Sequence, residues 1–203
     1  MKYRKWGERF ARRSDMTIGL VHLTKSVDID GKEMNALEVL IKILGEKRLK
    51  GSTTDTGFIV GDKRATCFQE STISSIAENL MYEKEKSEKI RYEGYGLVFD
   101  KQYIYNKGGR PVIYDKTEEA KNYLNKDKWW RIVNLDLSDD DNIVDWTHER
   151  EWRKAGDLLF DLECVSIIVA SYADRELLIK GCKEKDIDLE KVASIIVLAD
   201  IIY

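Results

Sequence analysis

Nine residues, DWTHEREWR from Asp145 to Arg153, hold two tryptophans, one of the chain's two histidines, and a Glu-Arg-Glu alternation. Read as a strand, the segment sends successive side chains to opposite faces. Trp146, His148, Arg150 and Trp152 then share one face, and Thr147, Glu149, Glu151 and Arg153 share the other. The Glu149 and Glu151 Cβ atoms would lie roughly 7 Å apart by the strand rise. Two carboxylates that close raise each other's proton affinity unless a cation intervenes. One expectation is a solvated face on which Arg153 or a cross-strand Lys neutralises them, since surface ion pairs are common and weak. The sharper one follows from the tryptophans. If they bury their face, the strand becomes a fixed platform, and two carboxylates on a rigid platform suit glycosidic-bond chemistry. One stabilises an oxocarbenium-like centre and the other orients a nucleophile.

The remaining elements must position that strand. IGLVHLT (Ile18–Thr24) reads as a strand, and ALEVLIKILGEKRL (Ala36–Leu49) as a helix with Leu37, Leu40, Ile41 and Leu44 on one face, stopping at Lys50-Gly51-Ser52. GFIVGDKRATCFQES contains a short strand, and STISSIAENLMYEKEKSEKI is helical with a polar tail. YGLVFDKQYIYNKGGRPVIYD, rich in β-formers and broken at Lys107-Gly108-Gly109, reads as a hairpin. A short helix over Lys116–Leu124 precedes the strand WWRIVNLDL, and SDDDN is an acidic loop. DWTHEREWRKAGDLLFDLE reads as two strand halves around Lys154-Ala155-Gly156. VSIIVASY is a buried strand, DRELLIKGCKEKD a helix capped by Asp174, and ASIIVLADIIY a closing strand. The expected fold is a single α+β domain over residues 1–203, with a mixed or antiparallel sheet flanked by helices.

The composition suits one domain with a real core: 203 residues, 43% hydrophobic and 35% charged. The net charge of −3 argues against bulk nucleic-acid binding. Locally, MKYRKWGERFARR (residues 1–13) sets six basic residues against one Glu, a solvated terminal segment or a phosphate-contacting arm. No run reaches the ~20 apolar residues of a membrane helix, and no apolar stretch follows the basic start as in a signal peptide. Cys67, Cys164 and Cys182 are odd in number and widely spaced. They suggest neither disulfides nor a zinc site, and a reducing, cytoplasmic setting is expected. GxGxxG, P-loop and GxSxG motifs are all missing from the sequence.

Glu149-Arg150-Glu151-Trp152-Arg153 resembles the Glu-x-Glu-Trp-Arg signature of a broad set of bacterial and phage proteins, including abortive phage-infection proteins of the AbiGi kind. The likeness extends in order through GLVHLT, LIKILGEKRLKGS, TCFQES and GGRPVIYD, and so covers most of the chain. The same succession resembles the ADP-ribosyltransferase fold, in which an early strand carries a His that contacts a ribose of NAD and a late strand carries a catalytic Glu. The resemblance implies a site built from His22, Glu149 and Glu151. His22 would contact the ribose. Glu151 would be catalytic, bonding the 2′-hydroxyl of the nicotinamide ribose, and Glu149 would orient the acceptor. Tyr82, Tyr92 and Tyr95 fall in the interval where the family places its nicotinamide clamp, and Arg110 after the Gly-Gly turn would reach a pyrophosphate, or else be an ordinary exposed hairpin arginine.

The expected activity is ADP-ribosyl transfer from NAD as co-substrate to an unknown macromolecular acceptor, protein or nucleic acid, or hydrolysis of NAD. No metal and no membrane are involved, and the resemblance puts the activity in phage–host conflict. The alternative is a non-enzymatic regulatory partner, antitoxin- or inhibitor-like, on a degenerate version of the fold. His148 is read as structural, and Cys67 as a buried small hydrophobe.

Overall fold

Strand-forming and helix-forming runs follow one another without a regular βα repeat, and the fold is α+β. A computed structural model describes residues 2–29, 32–86 and 93–201. In chain order the elements are α1 (Tyr3–Ala11), β1 (Gly19–Leu23), β2 (Val27–Ile29), β3 (Lys32–Met34), α2 (Ala36–Glu46), β4 (Arg48–Leu49), β5 (Ala65–Gln69), α3 (Ile73–Lys86), β6 (Gly96–Asp100) and α4 (Lys101–Asn106). There follow β7 (Arg110–Pro111), β8 (Ile113–Asp115), α5 (Thr117–Tyr123), β9 (Ile132–Asn134), β10 (Glu151–Ala155), β11 (Leu158–Leu159), β12 (Val165–Val169), α6 (Tyr172–Lys183) and β13 (Ser194–Val197). They gather into two compact units. The first holds the chain up to Arg48, Ser71–Asp100, and Phe160 onward; the second holds Leu49–Glu70 and Lys101–Leu159.

The first unit carries the strand order β13-β12-β6-β1, with β12 and β13 parallel and the other pairs antiparallel, so its sheet is mixed. The parallel pair is joined through α6, as the C-terminal strand–helix–strand pattern predicts. VSIIV in β12 is almost continuously apolar because both its faces are covered. Val21 of β1 and Ile168 of β12 pack with Ile76 and Ala77 of α3 and with Leu198 into one cluster. Helix α2 starts at a reciprocal cap, the Asn35 side chain accepting from the Glu38 N–H while Glu38 accepts from the Asn35 N–H. It buries Leu37, Leu40, Ile41 and Leu44 as their spacing predicts. It ends at Glu46, not Leu49, because Lys47 turns into the left-handed region (φ 48°). At Gly181 of α6 a Cβ would meet the Ile41 Cδ1 at 2.6 Å, so glycine is what lets α6 approach α2. The cap of α6 is Ser171, whose hydroxyl accepts from the Asp174 N–H and donates to the Asp174 carboxylate; Asp174 is one turn inside.

The basic start of the chain is a helix with no buried residue. Tyr3, Trp6 and Phe10 stack along one side of α1. Arg4 pairs with Glu8, and Arg13 with Asp15.

The second unit is built on β5-β10-β7, antiparallel throughout, with Glu151 opposite Gln69, Arg153 opposite Cys67 and Arg110, and Trp152 opposite Phe68 and Pro111. Beside it β8 pairs in parallel with β9. The expected hairpin over residues 95–115 is absent: β6 runs directly into α4. That helix closes with a Gly108 N–H to Tyr105 O bond (3.0 Å) and a Gly109 N–H to Ile104 O bond (2.8 Å). These are the paired bonds of a Schellman C-cap, with Gly108 supplying the left-handed residue at φ 94°. Lys107-Gly108-Gly109 is therefore a helix stop. The aromatic run before it had the composition of a strand, but this local cap and the burial of Ile104 decide for helix.

Candidate functional site

The Glu-x-Glu segment departs from the strand expected over Asp145–Arg153. Thr147–Glu149 is a 3-10 turn, begun by Asp145, whose carboxylate accepts from the Thr147 N–H (2.8 Å) and hydroxyl (2.7 Å). Arg150 then takes φ 45°, which breaks the two-residue alternation, and the strand begins only at Glu151. Glu149 and Glu151 are thus not successive residues of one strand face. The burial pattern is also reversed. Glu151 and Arg153 are the buried positions of β10, with relative exposures of 7% and 3%, whereas Trp146 and Trp152 are half-buried and His148 is exposed.

Glu151 is held on every side. Arg153 grips it with both arms, Nε to Oε1 at 2.7 Å and Nη2 to Oε2 at 3.0 Å. The remaining Arg153 nitrogen, Nη1, donates to the Trp130 and Ile132 carbonyls, each at 3.0 Å. Residues i and i+2 of a strand share a face, which is what brings the pair together. Two charges out of water require this completeness, because an unpaired buried ion costs several kcal/mol. Burial alone would lower the Arg153 pKa, but the charge and hydrogen bonds of Glu151 outweigh it and hold it above its ordinary value.

Two further groups close the surroundings. The Tyr114 hydroxyl accepts from the Glu151 N–H at 2.7 Å. Desolvation pushes this phenol up to about 12, with the charges of Glu151 and Glu149 adding to the shift. Cys67, cross-strand from Arg153, has its thiol pushed far above the ordinary range, first by burial, then by the Glu151 charge, with a hydrogen bond to Glu151 and the Glu149 charge contributing. A thiol so shifted favours its neutral form. Cys67 is half-buried against Ile59, Ala65 and Trp130, rather than the buried small hydrophobe expected of it. Glu149 is half-exposed on its turn, near enough for its charge to be felt at both Cys67 and Tyr114.

On the opposite face of β10, the Trp152 Nε1 donates to Glu70 Oε2 at 2.7 Å. Glu70 Oε1 receives the Lys101 ammonium, whose nitrogen also lies 6.0 Å from the Trp152 ring centroid. Arg110 is half-buried and folded back on its own turn. Its Nη1 donates to Tyr105 O (3.0 Å) and Gly109 O (2.6 Å), and its guanidinium stacks 3.9 Å from the Tyr105 ring.

The other expected site residues lie in the first unit. His22 is half-buried on β1, opposite Leu97. Tyr95 lies two residues before Leu97, and its carbonyl accepts from the Thr24 N–H at 2.8 Å. It therefore occupies the ladder position diagonal to His22 on the same face. Its hydroxyl donates to Asp174 at 3.0 Å, and burial, then Asp174, pushes it up to about 12. Tyr82 is 63% exposed on α3. Tyr92 lies outside the described residues. Of the expected residues, then, Glu149 and Glu151 come together within the second unit, with Arg110 on the adjoining strand, and His22 and Tyr95 come together within the first.

Arg153, Tyr114, Glu70 and Lys101 complete the site without having been singled out as functional residues. Arg153 did carry a signal, its place two residues after Glu151; the others come from distant segments with none. Among the described residues no group of three or more His, Cys, Asp or Glu is arranged to hold a metal ion, and no helix is long and apolar enough to cross a membrane. No family model matches the chain, and no curated protein or solved structure matches it either.

Proposed function

We propose that the chain is an ADP-ribosyltransferase-like protein that takes NAD, breaks its nicotinamide–ribose bond, and passes ADP-ribose to a macromolecular acceptor or to water. The phage–host setting is carried by the sequence resemblance. The observation that supports the reading is the pairing of unlike carboxylates around Cys67 and Tyr114: Glu151 buried and locked by Arg153, Glu149 half-exposed beside them. Breaking the bond builds positive charge on the ribose, and a fixed carboxylate facing it stabilises that charge. Glu151 has both oxygens committed to a guanidinium, so its own charge is largely cancelled. We therefore assign the substrate contact to Glu149, and to Glu151 the role of a positioning residue that fixes the start of β10. In this reading Arg110 of the same unit serves a phosphate, and the roles of His22 and Tyr95 in the first unit are those the sequence resemblance implies.

The same ion pair favours a second reading. A Glu-x-Glu whose second carboxylate is neutralised within the fold also suits a non-enzymatic regulatory partner, antitoxin- or inhibitor-like. Incubation with NAD, followed for nicotinamide release with and without cell extract, discriminates between the two. The enzyme reading expects release, reduced about 10²–10³-fold by Glu149→Gln. Wild-type turnover in that variant would remove the carboxylate assignment, and no release under either condition would favour the regulatory partner.

A further inference from the structure

At the outer edge of β7 two guanidiniums are held by backbone carbonyls two residues apart, and among the described residues neither is in an ion pair. The Val112 N–H bonds to the Glu151 carbonyl, so the chain at 110 and 112 faces β10, and the carbonyls of Gly109 and Pro111 point the other way. Each of those outward carbonyls is taken by an arginine. Arg110 donates Nη1 to Gly109 O at 2.6 Å, and Arg131 donates Nε and Nη2 to Pro111 O at 3.1 and 3.0 Å. The two anchors are two strand positions apart, about 7 Å by the strand rise. Arg110 is further fixed by its stacking on Tyr105. Among the described residues, every hydrogen bond of these two guanidiniums goes to a backbone carbonyl, and neither forms an ion pair. Arg110 keeps Nε and Nη2, and Arg131 keeps Nη1, for another acceptor. Burial first, and the charge of Arg110 second, holds the Arg131 pKa below its ordinary value.

Like charges in half-buried positions are unfavourable unless an anion joins them. Two planar forks of donors, each preset by a backbone carbonyl, match an anion with several oxygens better than a single carboxylate does. We propose that Arg110 and Arg131 form a diphosphate-binding site on the open edge of β7. The site stands on the second unit's own geometry and does not require that nicotinamide be released.

The test is calorimetric titration of the full chain with inorganic pyrophosphate at low salt, beside inorganic phosphate, sulfate and ADP-ribose. Saturable binding of pyrophosphate is expected, tighter than phosphate or sulfate and weakened by added salt. Arg131→Gln and Arg110→Gln should each weaken it tenfold or more, whereas Lys191→Gln on the first unit should leave it unchanged. Arg131→Lys keeps the charge but loses the fork. It should bind measurably but more weakly, and it serves where the Gln variant does not fold. Absence of saturable pyrophosphate binding to the wild type would overturn the proposal, as would a folded Arg131→Gln that binds like the wild type. Pyrophosphate and ADP-ribose binding without any nicotinamide release would uphold this site while removing the enzyme reading. Nicotinamide release with KM unaltered in Arg131→Gln would do the reverse.

Discussion

Breaking the Glu151–Arg153 pair should be among the most destabilising single changes in the second unit. Arg153→Met keeps the length and apolar stem of the side chain but removes two bonds to the carboxylate and the donors to the Trp130 and Ile132 carbonyls. Glu151, 7% exposed, then holds a buried charge with no cation. Removing one partner of such a pair costs about 3–5 kcal/mol, against a whole-protein stability of about 5–15 kcal/mol. For a chain of this length that is a fall in Tm of about 6–20 °C. The double variant Glu151→Leu/Arg153→Met leaves no buried charge. It should recover most of the loss, retaining about 1–3 kcal/mol for the carbonyls left without a donor. Thermal melts of the wild type, both single variants and the double variant form a thermodynamic cycle. Single losses of about 3–5 kcal/mol each against about 1–3 for the double give an expected coupling of about 3 kcal/mol or more. If the losses of the two single variants simply add in the double, or if Arg153→Met melts within about 2 °C of the wild type, the pair is not the buried, mutually dependent unit described above.

Alkaline pH should destabilise the protein. Burial raises Cys67 and Cys182, the latter to about 11, and raises Tyr95 and Tyr114 to about 12. Stabilisation by groups raised on folding is complete below their unfolded values, about 8.5 for Cys and 10 for Tyr, and is lost as pH rises through the folded ones. Lys154 and Arg131, both lowered by burial, work in the opposite sense. A Tm that stays flat or climbs from about pH 8.5 to 11 would refute this balance. The same shift makes Cys67 slow to alkylate: in native protein at pH 8, iodoacetamide should label it more slowly than in urea, as peptide mapping would detect, and equal rates would contradict the raised thiol. Trp152→Ala should cost about 2–3 kcal/mol by chemical denaturation, below the 3–5 of a core aromatic, since the residue is only half-buried and the main loss is its bond to Glu70. A loss above 4 would put that face in the core.

Where apolar periodicity was strong, the sequence could be read directly. The α2 stripe of Leu37, Leu40, Ile41 and Leu44, the VSIIV run of β12 and the strand–helix–strand close are all present, because burying those faces dominates any local preference. The misreadings have another physical origin. KQYIYN has the aromatic content of a strand, yet the Schellman bonds to Gly108 and Gly109 make it a helix, and such a cap depends on a backbone state that composition does not encode. Ser171 rather than Asp174 caps α6 because either residue type can fill the position, and only the backbone angles choose between them.

The carboxylate site was legible by half for a related reason. Residue types and spacing named Glu149 and Glu151, and the alternation rule put Arg153 on their face as one cation able to neutralise them, beside a cross-strand Lys. What the alternation could not supply was its own starting point. One residue, Arg150, in the left-handed region ends the 3-10 turn and shifts the strand's phase. The face expected to present carboxylates to a ligand is thereby turned into the buried face, and the tryptophans onto the other. Once Glu151 is inside, its charge must be met within the fold, and Arg153 meets it. Any chemistry that the segment performs then passes to the carboxylate left outside, Glu149, and to cations that the fold has not neutralised, Arg110 and Arg131. A chain with a residue at 150 that resists φ 45°, such as Arg150→Val, should lose this phase first. It should expose Glu151 and slow nicotinamide release together, whereas Arg150→Gly, which accepts that angle freely, should retain both. Hydrogen exchange at the Glu151 amide, sheltered by Tyr114, reads the phase directly, and equal protection in the Val and Gly variants would refute the argument.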